Sequence, residues 1–75
     1  MKFVEMTGKS LATLVRDDEI NGADLHKAGV SDDSVVRINE QGDIEVRRPA
    51  GWDVIGGLLG DFHTRIKKQT GLDWA

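Results

Sequence analysis

Residues 34–48 alternate apolar and polar side chains on both sides of a short polar turn, and this pattern constrains the fold more than any other segment. Alternation with period two is typical of half-buried strands, and two such runs around a turn predict a β-hairpin. The turn residues Glu40-Gln41-Gly42 predict a three-residue connection in which Gly42 adopts a positive φ. The resulting register places Ile38 opposite Ile44 and Val36 opposite Val46.

That register sorts the hairpin side chains onto two faces. The four paired apolar residues share one face, which we expect to be the core face. On the other face Arg37 stands opposite Glu45, a cross-strand pair worth roughly 0.2–1 kcal/mol. Val35 and Arg47 lie on the same side as this pair, so we expect the second face to be mostly solvated. A slip of one residue would exchange the two faces, and the register should therefore be strongly specified.

The segment before the hairpin predicts one strand and one or two short helices. Residues 2–6 are typical of a short strand. Ser10 is a predicted N-cap for a first short helix, and the helical elements together fall near residues 11–28. Residues 23–28 can form one or two helical turns, which Gly29 is placed to end.

The segment after the hairpin predicts a longer amphipathic helix near residues 53–70. Its apolar residues follow i, i+3, i+4, i+7 and i+11 spacing, which indicates one helical face. Asp53 is a predicted N-cap or first-turn acid, and Gly71 a predicted helix stop. We expect the apolar face to pack across the core face of the hairpin, with the N-terminal strand extending the sheet. The apolar residues of this face are Ile55, Leu58, Leu59, Phe62 and Ile66.

Composition limits the classes of protein that the chain can belong to. Its 75 residues predict one small α+β domain over residues 1–75, with no cysteine for disulfides or thiolate metal sites. No apolar run approaches the ~18 residues of a membrane span. The start of the chain lacks the long apolar segment of a secretory signal, and we expect a cytoplasmic, bacterial protein. A formal net charge of −3 argues against general nucleic-acid binding, which depends on neutralised phosphates.

Four residues near the C-terminal helix are candidates for partner binding: Trp52, Gly56, Gly60 and Trp74. Glycine inside a helix costs about 1 kcal/mol relative to alanine, so the presence of Gly56 and Gly60 in the predicted helix requires an explanation. They could form a groove for a partner chain, pack closely on this chain's own sheet, or indicate a helix that begins later. Trp52 could staple the helix entry or contact a partner. Trp74 could dock back onto the domain or insert into a partner as a hot spot.

The titratable residues do not form a recognisable catalytic or metal-binding motif. His26 and His63 each follow an aspartate at a distance of two residues, and such neighbours point in different directions on a helix. The acidic residues at 17–19 and 32–33 lack the spacing of a calcium loop and fit solvated turns. We therefore expect no cofactor, no metal site and no enzymatic activity.

Residues 29–49 resemble the final hairpin of swapped-hairpin transition-state regulators and antitoxins. In that family a short helix, an acidic turn and a hairpin close a dimeric DNA-binding barrel. The resemblance covers about a quarter of the chain. It implies a DNA-binding alternative that would use Arg37, Arg47 and Arg48. The family's basic, DNA-contacting N-terminal strand has no clear counterpart in residues 2–9.

Two functional hypotheses follow from the sequence. The first is a non-enzymatic protein–protein interaction module, which binds a protein partner or itself and forms a homodimer through the C-terminal helix and tail. The alternative is a DNA-binding regulator or antitoxin of the swapped-hairpin type.

Overall fold

A computed structural model describes residues 2–74 and contains one four-stranded antiparallel sheet with three helices. The strands follow one another across the sheet in chain order, and each pairs antiparallel with the next. The predicted α+β class, with an N-terminal strand, a central hairpin and a C-terminal helix, is confirmed. The elements are β1 (Phe3–Thr7), α1 (Gly8–Leu14), α2 (Gly22–Lys27), β2 (Val35–Asn39), β3 (Asp43–Arg48), β4 (Gly51–Gly57) and α3 (Phe62–Thr70).

The β2–β3 hairpin has the predicted register. Val36 pairs with Val46, Arg37 with Glu45 and Ile38 with Ile44. Gly42 adopts a φ of +91°, as the three-residue connection requires. A Cβ on Gly42 would also meet the ring of Phe62 at 2.9 Å, so the turn lies directly against the start of α3. Gly42 thus serves both the turn and the packing of the last helix.

The two short helices occur where the sequence predicts them, with one difference in capping. Thr7, rather than Ser10, is the N-cap of α1, and its hydroxyl accepts from the Ser10 backbone N–H at 3.2 Å. Asn21 caps α2 through a reciprocal box with Asp24, in which each side chain accepts from the other's backbone N–H. Gly29 follows α2 with a left-handed φ of +75°, as expected of a helix stop.

The predicted helix over residues 53–70 is wrong in its first half. Residues 51–57 form β4, an edge strand paired with β3, and α3 begins only at Phe62. Asp61, not Asp53, is the N-cap, and its carboxylate accepts from the Thr64 backbone N–H at 3.3 Å. Hydrogen bonds from the Thr64 side chain and then from its backbone N–H lower the pKa of Asp61 below its usual range. The structure therefore adopts the alternative in which the last helix begins later in the sequence.

The physical reason for β4 lies in residues that a helix tolerates poorly. Three glycines at 56, 57 and 60 would each cost a helix about 1 kcal/mol, whereas the β-branched Val54 and Ile55 suit a strand. Ile55 packs against the core, and a bulge opposite Ile44 and Glu45 brings Gly56 to the core side as well. Gly60 then takes a left-handed φ of +69° in the loop to α3. The apparent helical spacing therefore combines residues from a strand, a loop and a helix.

The core lies between one face of the sheet and the three helices. The sheet contributes alternating residues of β1, β2 and β3, while the opposite layer comes from the helices and loops. Leu11 and Leu14 of α1 and Ile66 of α3 are almost fully buried. The other buried apolar residues are Val4, Met6, Ile20, Leu25, Val36, Ile38, Ile44, Val46 and Leu58.

A buried ion pair between Glu19 and Arg65, here termed the clasp, ties α3 to the turn before α2. The guanidinium donates to both carboxylate oxygens of Glu19, at 2.6 and 2.7 Å, and to the carbonyls of Leu14 and Leu59. Glu19 also accepts from the backbone N–H groups of Arg16 and Leu59. The hydrogen bonds from Arg65 lower the pKa of Glu19 to about 2, and the same bonds raise the pKa of Arg65.

The chain after α3 folds back along the domain. Gly71 ends the helix in the left-handed region, with its N–H donating to the Lys67 carbonyl. Lys67 donates to the Asp73 carboxylate at 3.0 Å, which lowers the pKa of Asp73. Trp74 packs against the core and lies 4.8 Å from the His63 ring, measured between centroids. Of the two sequence alternatives for Trp74, the structure adopts the self-docked one.

Candidate functional site

The candidate site is the face of the sheet opposite the helices, here termed the open face. Strand registers place eleven side chains on it in alternation with the core residues. Within residues 2–74, the buried apolar residues of the helices and loops pack on the other side of the sheet. The open face consists of Phe3, Glu5, Thr7, Val35, Arg37, Asn39, Asp43, Glu45, Arg47, Trp52 and Val54.

Arg37 lies at the centre of the open face between two aromatic rings. Its guanidinium carbon is 3.7 Å from the centroid of the Phe3 ring and 4.1 Å from that of Trp52. Such cation–π contacts contribute about 0.5–1 kcal/mol each at exposed sites, and more where water is excluded. The three side chains therefore form a stack that joins β1, β2 and β4 across β3.

The stack leaves part of the Arg37 guanidinium unsatisfied. One terminal nitrogen donates to Glu45 at 3.1 Å, and Glu45 is itself almost covered. The Nε atom is buried without a hydrogen-bond acceptor. A buried donor with no partner is costly, because it has lost water and gained nothing in return. Arg37 thus joins three strands of the sheet while one of its donors stays without an acceptor.

Two further charges on the open face have no partner among the described residues, Glu5 on β1 and Arg47 on β3. Both are exposed, and neither forms a side-chain hydrogen bond or an ion pair within residues 2–74. The other polar side chains of β2 and β3 on this face are paired with each other, because Asn39 donates to Asp43 at 3.0 Å and Arg37 to Glu45. The exposed charges of this face are therefore one acid and one base, and the carboxylate of the half-buried Asp43 accepts from an amide rather than from a cation.

Apolar side chains border these charges. Val54 is 61% exposed and Val35 is 47% exposed, and Trp52 is only partly buried. Arg47 extends over the remaining surface of Trp52, with its guanidinium carbon 5.5 Å from the ring centroid. A partly covered tryptophan flanked by arginine is the composition found at protein-interface hot spots.

The structure separates the four residues predicted for partner binding. Trp52 lies on the open face, whereas Gly56 lies on the core side of β4, where a Cβ would be 3.5 Å from the Ile20 side chain. Gly60 is in the loop before α3, and Trp74 packs beside His63. The interpretation of Gly56 and Gly60 as one groove along a helix is wrong, because neither residue is helical.

The three arginines predicted for the DNA-binding alternative are also divided. Arg37 and Arg47 both contact Trp52 on the open face. Arg48 lies on the other side of the sheet, where it donates to the Ala28 carbonyl and to Asp53. The structure therefore joins one predicted partner-binding residue with two of the predicted nucleic-acid residues, a grouping that the sequence did not indicate.

The remaining candidate chemistry is not assembled in the described part of the chain. Residues 2–74 contain no group of three histidine or carboxylate side chains close enough to hold a metal ion. A groove of about 400 Å³ between α1 and α3 is lined by Arg65 and Asp61. The Arg65 guanidinium in that groove is already bound by Glu19. None of the helices within residues 2–74 is both long and apolar enough to cross a membrane.

Comparison with known proteins gives no relative: no family model, curated protein or solved structure matches this chain.

Sequence reasoning missed Phe3, Glu5 and Val54 as members of the site. The sequence signal for Phe3 and Glu5 was present, because alternation along β1 places them on the other face of the sheet from the core residues Val4 and Met6. Val54 was hidden by the helical interpretation of residues 53–70. The contact between Trp52 and Arg37 depends on the β3–β4 pairing, which no local pattern specifies.

Proposed function

We propose that this chain is a non-enzymatic protein-interaction module that binds its partner through the open face of the sheet. The observation that carries the proposal is the exposed apolar surface of Val54 and Val35 around a half-covered Trp52. A sheet with helices on one side only must otherwise leave these apolar groups in water, at about 25 cal/mol for each Å². Binding a protein surface removes this cost.

The rest of the molecule offers less to a partner. Trp74 and Gly56, two of the sequence candidates, are already occupied by contacts with His63 and Ile20. The clasp satisfies the one strongly buried ion pair internally. The surface of the helix layer carries isolated apolar residues, of which Leu59 is the most exposed at 56%. The open face combines exposed apolar, aromatic and charged groups in one area.

The nucleic-acid alternative has weaker support on the same face. Its three acidic residues, Glu5, Asp43 and Glu45, outnumber its two arginines, and Arg37 is neutralised by Glu45. Arg48 is held on the opposite side by the Ala28 carbonyl. Affinity for nucleic acid comes mainly from cations that neutralise phosphates, and only Arg47 is available here. We therefore favour a protein partner.

Site-specific photocrosslinking in the organism that produces the protein tests this proposal. A benzophenone amino acid replaces Val54 on the open face, and Ala12, an exposed residue of α1, is the matched control position. We expect a discrete protein adduct at position 54 that is absent at position 12 and is lost when Trp52→Ala is added. No adduct at position 54, or the same adducts at both positions, would overturn the proposal.

A further inference from the structure

We infer that the partner of the open face is a second copy of this chain, related by a twofold axis. This inference rests on the proposed function of the open face and adds the identity of its occupant. It depends on three properties of the face: the signs of its unpaired charges, their relative positions, and the size of the patch.

The unpaired charges are self-complementary. Glu5 and Arg47 are the exposed charges on the open face that lack an ionic partner within residues 2–74, and their signs are opposite. In a twofold dimer each contact occurs twice, so that Glu5 of each copy meets Arg47 of the other. A foreign partner would need its own acid and base in matching positions. A second copy supplies both.

The positions of these charges allow one axis to satisfy both pairs. Glu5 is on β1 and Arg47 on β3, two strands apart and one step of two residues along the sheet. With strands ~4.8 Å apart and a rise of ~3.4 Å per residue, their Cα atoms are separated by about 12 Å. A twofold axis in the interface plane, crossing β2 obliquely between Val35 and Arg37, exchanges them.

The same axis brings the aromatic residues of the two copies together. When the dimer is viewed perpendicular to the sheet, Trp52 of one copy lies over Phe3 of the other, because the two residues occupy opposite corners of the face. Val54 of one copy then approaches Phe3 and Asn39 of the other. The exposed surfaces of the Phe3–Arg37–Trp52 stack would thus be covered by the equivalent stack. Aromatic pairs of this kind add about 0.5–1.5 kcal/mol beyond area burial.

The patch is small, which predicts a weak dimer. Four strands of about five residues form a surface of roughly 19 by 17 Å, below the ~800 Å² that each partner buries in a standard complex. We expect a dissociation constant of about 10 µM to 1 mM. Small domains without disulfides or metals often gain stability by association, which gives such a dimer a physical benefit.

Charge reversal with rescue tests the inference. Glu5→Arg or Arg47→Glu alone should weaken dimerisation about tenfold, since each creates two repulsive contacts. The double variant restores opposite signs at both contacts and should recover affinity to within about threefold. Lys9→Glu and Asp17→Lys, exposed charges on the helix side, are the matched controls and should leave affinity unchanged. Sedimentation equilibrium measures the dissociation constants, and circular dichroism checks that each variant is folded.

The two tryptophans provide an internal control by NMR. The indole N–H signal of Trp52 should shift as the protein is concentrated, whereas that of Trp74, held beside His63, should not. A strict monomer at ~2 mM, about twice the upper limit of the expected dissociation constant, would overturn the inference. So would a dimer in which the double variant shows no rescue. A crosslink from position 54 to a different protein would overturn the dimer while leaving the proposed interaction function intact.

Discussion

The clasp and the open face use the same pair of residue types with opposite results. Arg65 and Glu19 are bonded through both terminal nitrogens, and their side chains are 8% and 0% exposed. Arg37 and Glu45 share one bond of 3.1 Å and are 21% and 11% exposed. Two carbonyls complete the contacts of Arg65, whereas two aromatic rings complete those of Arg37.

The difference shows that the groups around an arginine determine whether its N–H donors are satisfied within the fold. Carbonyls accept hydrogen bonds along fixed directions, and the four bonds of Arg65 use all the N–H groups of its two terminal nitrogens. Aromatic rings hold a guanidinium without consuming its donors, and the Nε of Arg37 remains without an acceptor. The terminal nitrogens of Arg65 are thus satisfied within the fold, whereas Arg37 keeps a donor without an acceptor beside exposed apolar groups.

The largest expected effect comes from breaking the clasp. Arg65→Met should lower the free energy of unfolding by about 3–5 kcal/mol, because it leaves the Glu19 carboxylate buried without a cation. Arg37→Met should cost only about 1–2 kcal/mol, since its contacts are fewer and partly exposed. Urea denaturation of both variants measures the difference. Lys68→Met, an exposed change on the same helix as Arg65, is the control; equal losses for Arg65 and Arg37 would contradict the comparison.

Acid should weaken the clasp in a defined range of pH. Glu19 has a pKa of about 2 in the folded protein against an ordinary value of 4.5. A carboxyl with a depressed folded pKa stabilises the fold above the unfolded pKa, and this contribution disappears as pH falls from 4.5 toward 2. The shift corresponds to about 3 kcal/mol.

Comparing Glu19→Gln with the parent chain isolates this contribution. Thermal or urea unfolding at a series of pH values should show a steep loss below pH ~5 in the parent and a shallower one in the variant. Asp17→Asn, at an exposed carboxylate with no hydrogen-bond partner among residues 2–74, serves as the control. If the two proteins lost stability in parallel between these limits, the role given to Glu19 would be wrong.

A smaller effect is expected from the aromatic stack. Trp52→Ala should cost about 1–2 kcal/mol, because it removes a ring that covers Arg37 and part of the edge strand. A double-mutant cycle with Arg37→Met should give a coupling energy of about 0.5–1 kcal/mol. A coupling near zero would mean that the ring and the guanidinium are neighbours without a stabilising interaction.

The smallest effect on stability is expected at Val54. Val54→Thr keeps the β-branched shape on an exposed strand position, so the free energy of unfolding should change by less than about 0.5 kcal/mol. The same substitution should weaken self-association, because it replaces apolar contact surface by a hydroxyl. Sedimentation and urea denaturation of one sample measure both quantities. A large stability loss without a change in association would remove Val54 from the interface.

The hairpin and the ends of two helices follow from short-range patterns. Alternation fixes the hairpin register, Gly42 its turn, and Gly29 and Gly71 the ends of two helices. Each of these signals comes from residues within a few positions of one another. The predicted core residues of the hairpin are all buried for the same reason.

The errors arise where the structure depends on distant residues. Ile55, Leu58, Phe62 and Ile66 are all at least partly buried, which reproduces a helical spacing although β4 and a loop intervene. The clasp joins residues 46 apart, so Glu19 resembles the solvated acids at 17 and 18 in sequence. The open face likewise depends on β4 pairing with β3. No short segment of the sequence contains all the residues that form the clasp or the open face.

The clasp is a non-covalent crosslink in a chain without cysteine, so a reducing agent does not break it. It closes a loop of 46 residues between the turn before α2 and the last helix, a span over which a disulfide would often be placed. Unlike a disulfide, it forms without an oxidant and disappears when either end unfolds. The clasp therefore couples the last helix to the turn before α2 through a contact that exists only while both are folded.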